Sequence, residues 1–72
     1  MKAGIYRHKR HPQDLYLFIG LARHHETNEE FIVYVPLRVE KDWAGTARMA
    51  LRTVEDFNET FEYVAERLPE EL

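Results

Sequence analysis

Leu15-Tyr-Leu-Phe-Ile-Gly-Leu-Ala-Arg-His24 decides the fold, because it is apolar on both alternating faces for most of its length. In an extended chain Leu15, Leu17, Ile19 and Leu21 point one way, and Tyr16, Phe18, Gly20 and Ala22 the other. The aromatic and β-branched content favours a long strand over a helix. The small residues Gly20 and Ala22 predict a bend or a close approach near its middle. Phe31 to Leu37 has the same character, with Phe31, Val33, Val35 and Leu37 opposite Ile32, Tyr34 and Pro36. The polar segment from His25 to Glu30 joins the two as a hairpin. A sheet apolar on both sides must be covered on both, which a small barrel achieves by curling on itself.

Upstream, Gly4 to His8 is a short β-prone run, and Lys9 to Asp14, with Pro12 among polar residues, is a loop. Downstream the sequence supports two readings. Trp43, Ala47, Ala50, Leu51, Val54 and Phe57 recur at helical spacing behind Asp42 as an N-cap, which gives a fifteen-residue helix on a three-stranded sheet, an α+β fold. Gly45, Thr46 and Thr53 weaken that helix, and closing a two-faced sheet requires further strands. Phe61 to Val64 alternates as a last strand, and the acidic run from about 66 to 72, with Pro69, is a tail. The chain is one domain, 1–72, with a folded core of about 3–65.

Composition narrows the function classes. A chain of 72 residues buries only about 60 % of its unfolded surface, so its core is thin. Apolar strand surface is then left over for a second copy to cover, and homo-oligomerisation is an open expectation. Without cysteine, disulfides, thiolate zinc sites and cysteine nucleophiles are excluded. Without serine, so is a Ser-His-Asp arrangement. No stretch approaches the roughly 18 apolar residues of a membrane span, which predicts a cytoplasmic protein. The net charge of −3 hides an asymmetry. Residues 1 to 25 hold five basic side chains against Asp14 together with all four histidines, and the remainder holds five basic against twelve acidic side chains. Any anionic ligand is therefore expected around the first two strands.

Gly4-Ile-Tyr-Arg-His8, Tyr16, Gly20, Ala22-Arg-His-His-Glu-Thr27 and Val33-Tyr34 carry a family resemblance, extended by Trp43, Arg48, Val54-Glu55 and Phe61-Glu-Tyr-Val64. In these stretches the chain resembles the bacterial family of domains of unknown function numbered sixteen fifty-three. The resemblance implies a mainly β fold, a small SH3-like β-barrel of about five strands with one short helical turn after the stretch around Arg48. It implies no activity. Taken with the two-faced strands, it favours the barrel over the long helix.

Three constellations could carry chemistry. His8, His11, His24, His25 and Glu26 have the ligand types for zinc, nickel or iron, with His8 and His24 the metal candidates, and His8, His24 and Glu26 could serve a small metal-dependent or acid/base enzyme. No spacing among them matches a ligand motif, so the simpler reading hydrogen-bonds His8 or His24 to backbone, and no cofactor is expected. Glu26 to Glu29 offers paired carboxylates but equally reads as a solvated hairpin tip. Arg7, Arg23 and Arg48 with Tyr6, Tyr34 and Trp43 could line an anion or nucleotide site. Against nucleic acid stand the acidic balance and the lack of a glycine-rich loop, and Arg7 and Arg23 could instead pair with Glu29, Glu30 or Glu62 across the sheet. The sequence reading is a non-catalytic binding module whose patch is Tyr6, Arg7, His8, His24, Glu26, Tyr34, Trp43 and Arg48, and whose partner is a protein, a peptide or a small anion.

Overall fold

The structure, a computed structural model, describes residues 2–38 and 48–67. Its strands are β1 (Ile5–His8), β2 (Leu15–Arg23), β3 (Glu30–Pro36), β4 (Ala50–Thr53) and β5 (Phe61–Ala65), with a short helix α1 (Val54–Thr60) between the last two. The fold is mainly β, with five antiparallel strands in one sheet in the order β4-β3-β2-β1-β5. The sheet is not closed, because β4 and β5 are its two edges. Helix α1 packs against β3, β4 and β5 and so covers the interval between those edges.

Register explains which apolar face became the core. Tyr6 lies opposite Tyr16 and Tyr63, and Phe18 opposite Tyr34, which lies opposite Ala50. These residues share one face, since cross-strand partners project to the same side. They surround a buried cluster of Tyr6, Ile32, Tyr34, Phe57 and Phe61, in which Ile32 and Phe57 are fully enclosed. The rings of Phe57 meet those of Tyr6, Tyr34 and Phe61 at centroid separations of 5.0, 5.5 and 4.7 Å. Such tilted and edge-on pairs add about 0.5–1.5 kcal/mol each beyond the area they bury. The opposite face is covered less completely: Leu51 is 58 % exposed and Ile19 49 %.

The disputed stretch is a strand followed by a helical turn over the residues described. Ala50, Val54 and Phe57 all pack on the core, as the helical spacing requires, but Leu51 points outward as an alternating strand residue. Thr53, whose composition weakened the long helix, is the N-cap of the short one: its hydroxyl accepts from the Asp56 amide at 3.1 Å. Asp42, Trp43, Gly45, Thr46 and Ala47 of the longer reading lie outside the described residues, as does most of the acidic tail.

The expectation of a bend or a close approach near Gly20 resolves as the bend. Around Gly20 the strand does bend, through a β-bulge between Phe18 and Gly20, but nothing lies within 4 Å of the Cβ position there, so no chain approaches it closely. The close approach is at Gly4, whose φ is +138° and whose Cβ would sit 2.5 Å from the Ala65 carbonyl oxygen. Among the described residues, no helix is long and apolar enough to cross a membrane.

Candidate functional site

The turn after β1 is built by its histidine. His8 Nδ1 accepts the Arg10 amide at 3.0 Å, and the backbone adds His11 N to the His8 carbonyl at 3.2 Å and His8 N to the Asp14 carbonyl at 3.1 Å. With Nδ1 accepting, the neutral ring carries its proton on Nε2, which is left as a donor. The same turn docks on the C-terminus of α1. Lys9 N donates to the Thr60 carbonyl and Lys9 Nζ to the Asn58 carbonyl, each at 2.9 Å. The last turn of α1 has no basic residue of its own, so Lys9 supplies the cation that the carbonyl end of a helix favours.

Arg52 completes the same region from β4. It lies opposite Ile32 on the core-facing side, and its guanidinium spans the interval between the two sheet edges. Nε donates to the Tyr34 hydroxyl at 2.9 Å and Nη1 to Asp56 Oδ2 at 2.8 Å, while the group stands 5.2 Å from the Phe61 ring centroid. Partial burial works against its charge, but the Tyr34 hydrogen bond and the Asp56 carboxylate outweigh it and hold its pKa above the ordinary arginine value. Arg52 is thus a fixed cation.

His8, Lys9, Arg10, Arg52, Glu59 and Thr60 line one concavity of about 450 Å³. Lys9, Arg10 and Arg52, the last of them paired with Asp56, face Glu59 there, on a chain whose net charge is −3. His8, Lys9 and Arg10 line it from the turn, Arg52 from β4, and Glu59 and Thr60 from the end of α1.

The residues singled out from sequence do not converge. Tyr6 and Tyr34 are only 5 % and 6 % exposed and belong to the core. Arg7 makes a two-pronged pair with Glu62, 2.9 and 2.7 Å to the same oxygen, in the cross-strand register expected of a structural ion pair. His8 and His24 stand on neighbouring strands, but at opposite ends. Antiparallel pairing puts His8 near the start of β2 and His24 after its ninth residue, roughly 30 Å along at about 3.3 Å per residue. His24 repeats the device of His8, its Nδ1 accepting the Glu26 and Thr27 amides at 3.2 and 3.3 Å. Glu26 therefore belongs to the hairpin loop, far from His8. Arg48 is exposed ahead of β4, and Arg23 lies beside Glu30 at the far end of the hairpin. Trp43 falls outside the described residues. Among the described residues no three histidine or carboxylate side chains group as a metal site.

Of the concavity's lining, sequence reasoning singled out His8 alone. Lys9 and Arg10 were signalled by the unbroken basic run from Arg7 to His11. Arg52 had no such signal, because only the β3–β4 register and the fold-back of α1 bring it to that run.

Comparison with known proteins places the whole fold. A crystal structure of a DUF1653 protein from Bordetella bronchiseptica superposes with a TM-score of 0.77 at 32 % identity, covering 97 % of this chain and 95 % of that one. No curated protein matches the chain. The family pattern described as "Protein of unknown function (DUF1653)" matches residues 4–69. With the pattern spanning strands β1 to β5 and a solved relative sharing the fold over nearly its full length, the chain belongs to the DUF1653 family.

Proposed function

We propose that this protein is a non-catalytic binding module for a small anionic ligand, which it holds in the concavity between the β1–β2 turn, Arg52 and the end of α1. The observation that carries the reading is the convergence of Lys9, Arg10 and Arg52 with the His8 ring on one concavity of an acidic domain. Arg52 is oriented in advance by Tyr34 and Asp56, which lowers the ordering cost of capture. The Arg10 side chain makes no hydrogen bond or ion pair among the described residues, so its guanidinium is available. The five antiparallel strands, with a short helix between the two edges, support an SH3-like description of the scaffold.

Titration of inorganic phosphate into isotopically labelled protein tests the reading. Amide shifts are expected at His8, Arg10, Arg52 and Thr60, and they saturate. In Arg10→Ala the affinity falls about tenfold, the worth of one charge-assisted hydrogen bond, with the rest of the spectrum unchanged. Shifts spread evenly over the surface, or an affinity indifferent to Arg10, would remove the site.

A further inference from the structure

The concavity holds one residue that a bare anion does not explain. Glu59 lines it together with Arg10, yet neither side chain makes an ion pair or hydrogen bond with any described residue. Opposite charges left unpaired in one 450 Å³ concavity leave a cation for an anionic group and a carboxylate acceptor for a hydrogen-bond donor. A simple anion would meet Glu59 only as repulsion.

Resting on the anion-binding reading above, we propose that the ligand is a phosphate monoester of a small polyhydroxy compound. Its phosphate sits toward Arg10, Arg52 and His8 Nε2, and a hydroxyl donates to Glu59. A tetrahedral phosphate presents oxygens in several directions, which suits donors arriving from a turn and from a strand better than a planar carboxylate does. The donor that meets Glu59 is a neutral hydroxyl rather than an ammonium, because three cations against Glu59 and the Asp56 partner of Arg52 leave the site net positive. No Phe, Tyr or Trp is among the described residues that line the concavity, so a nucleobase finds only the His8 ring and the arginine planes to stack on. The volume lies within the range of small-molecule sites, about 300–1,000 Å³.

The test compares inorganic phosphate, glycerol 3-phosphate, phosphoethanolamine and AMP by calorimetry at constant ionic strength, in wild type, Glu59→Ala and Glu59→Gln. Glycerol 3-phosphate is expected to bind wild type about tenfold more tightly than inorganic phosphate, one charged hydrogen bond's difference. That advantage disappears in Glu59→Ala and shrinks in Glu59→Gln, while inorganic phosphate binds both variants at least as well as wild type. Equal affinities in wild type, an advantage that survives Glu59→Ala, or phosphoethanolamine or AMP binding tightest would overturn the polyol phosphate and leave anion binding standing. No binding of either phosphate by wild type would overturn both readings. Glu59 is exposed at the helix end, and Glu59→Gln keeps the side chain's size should Glu59→Ala disturb α1.

Discussion

At Gly4 a single hydrogen atom decides whether β1 and β5 can meet. The residue sits at φ +138° with the Ala65 carbonyl where a methyl group would go, so Gly4→Ala must shift backbone as well as strain it. A loss of about 1–3 kcal/mol is expected, read as a lowered urea midpoint at unchanged slope. The sequence marks Gly4 only as the residue before a strand, because positive φ is invisible until its neighbour across the sheet is known. Arg10 and Arg52 contrast in the same way. Arg10→Ala should leave the melting temperature unaltered while weakening phosphate binding. Arg52→Ala should lower both, since it removes the hydrogen bonds to Tyr34 and Asp56 and the stacking on Phe61. Thermal melts and phosphate titrations of the two variants separate binding from stability. The backbone hydrogen bonds of His8 and His24 were legible, since each ring accepts amides of the turn that follows.

Among the elements, α1 is the one that sequence periodicity described in part. Ala50, Val54 and Phe57 are spaced as in a helix and all reach the core, because a strand running into a helix can bring all three to one side. Leu51 discriminates, being inward in a long helix and outward in a strand, and it is 58 % exposed. A seven-residue helix is too short to persist alone, so it depends on its ends and its one buried ring. Thr53→Ala should cost about 1 kcal/mol through the lost cap. Phe57→Ala should cost about 3–5 kcal/mol and unfold much of the population, as circular dichroism and urea titration would show. The β2–β3 hairpin, by contrast, was legible in its strands and loop from the two-faced apolar runs, although the bulge after Phe18 sets Leu21 opposite Ile32, off the face that strict alternation gives it with Leu17. Its tip places Asn28 at φ 63°, a conformation that asparagine tolerates and β-branched residues do not.

For the whole molecule, two bulk properties follow from where the charges and phenols lie. Anion binding at the basic concavity should weaken as salt rises from low to high concentration, because the Debye length falls from about 10 Å at 0.1 M to about 3 Å at 1 M. Burial raises the pKa of Tyr6, with Tyr63 adding to the effect. Burial also raises that of Tyr16, with Asp14 and Tyr34 adding and Arg52 opposing. The folded chain then keeps protons that the unfolded chain releases near the ordinary value of 10.0. Stability from these phenols is therefore present below pH 10 and lost as pH rises through the higher folded values. Urea midpoints at pH 9 and 11 should fall steeply in wild type and less so in a Tyr6→Phe/Tyr16→Phe variant. The charge asymmetry of the sequence pointed to the first two strands, whose connecting turn contributes Lys9 and Arg10 to the concavity. It did not supply Arg52, Glu59 or Thr60, which come from more than forty positions away and are joined to His8, Lys9 and Arg10 only by tertiary folding.

The pairing of β1 with β5 links residues such as Arg7 and Glu62, 55 positions apart in sequence. Loop closure on that scale is entropically costly, whereas the β2–β3 hairpin closes locally. The hairpin should therefore be organised in the folding transition state and β5 should add late. Substitutions such as Val64→Ala should then accelerate unfolding in stopped-flow kinetics and leave the refolding rate nearly unchanged. Resistance to slow unfolding in this protein is set by its last strand, at the seam that Gly4 permits.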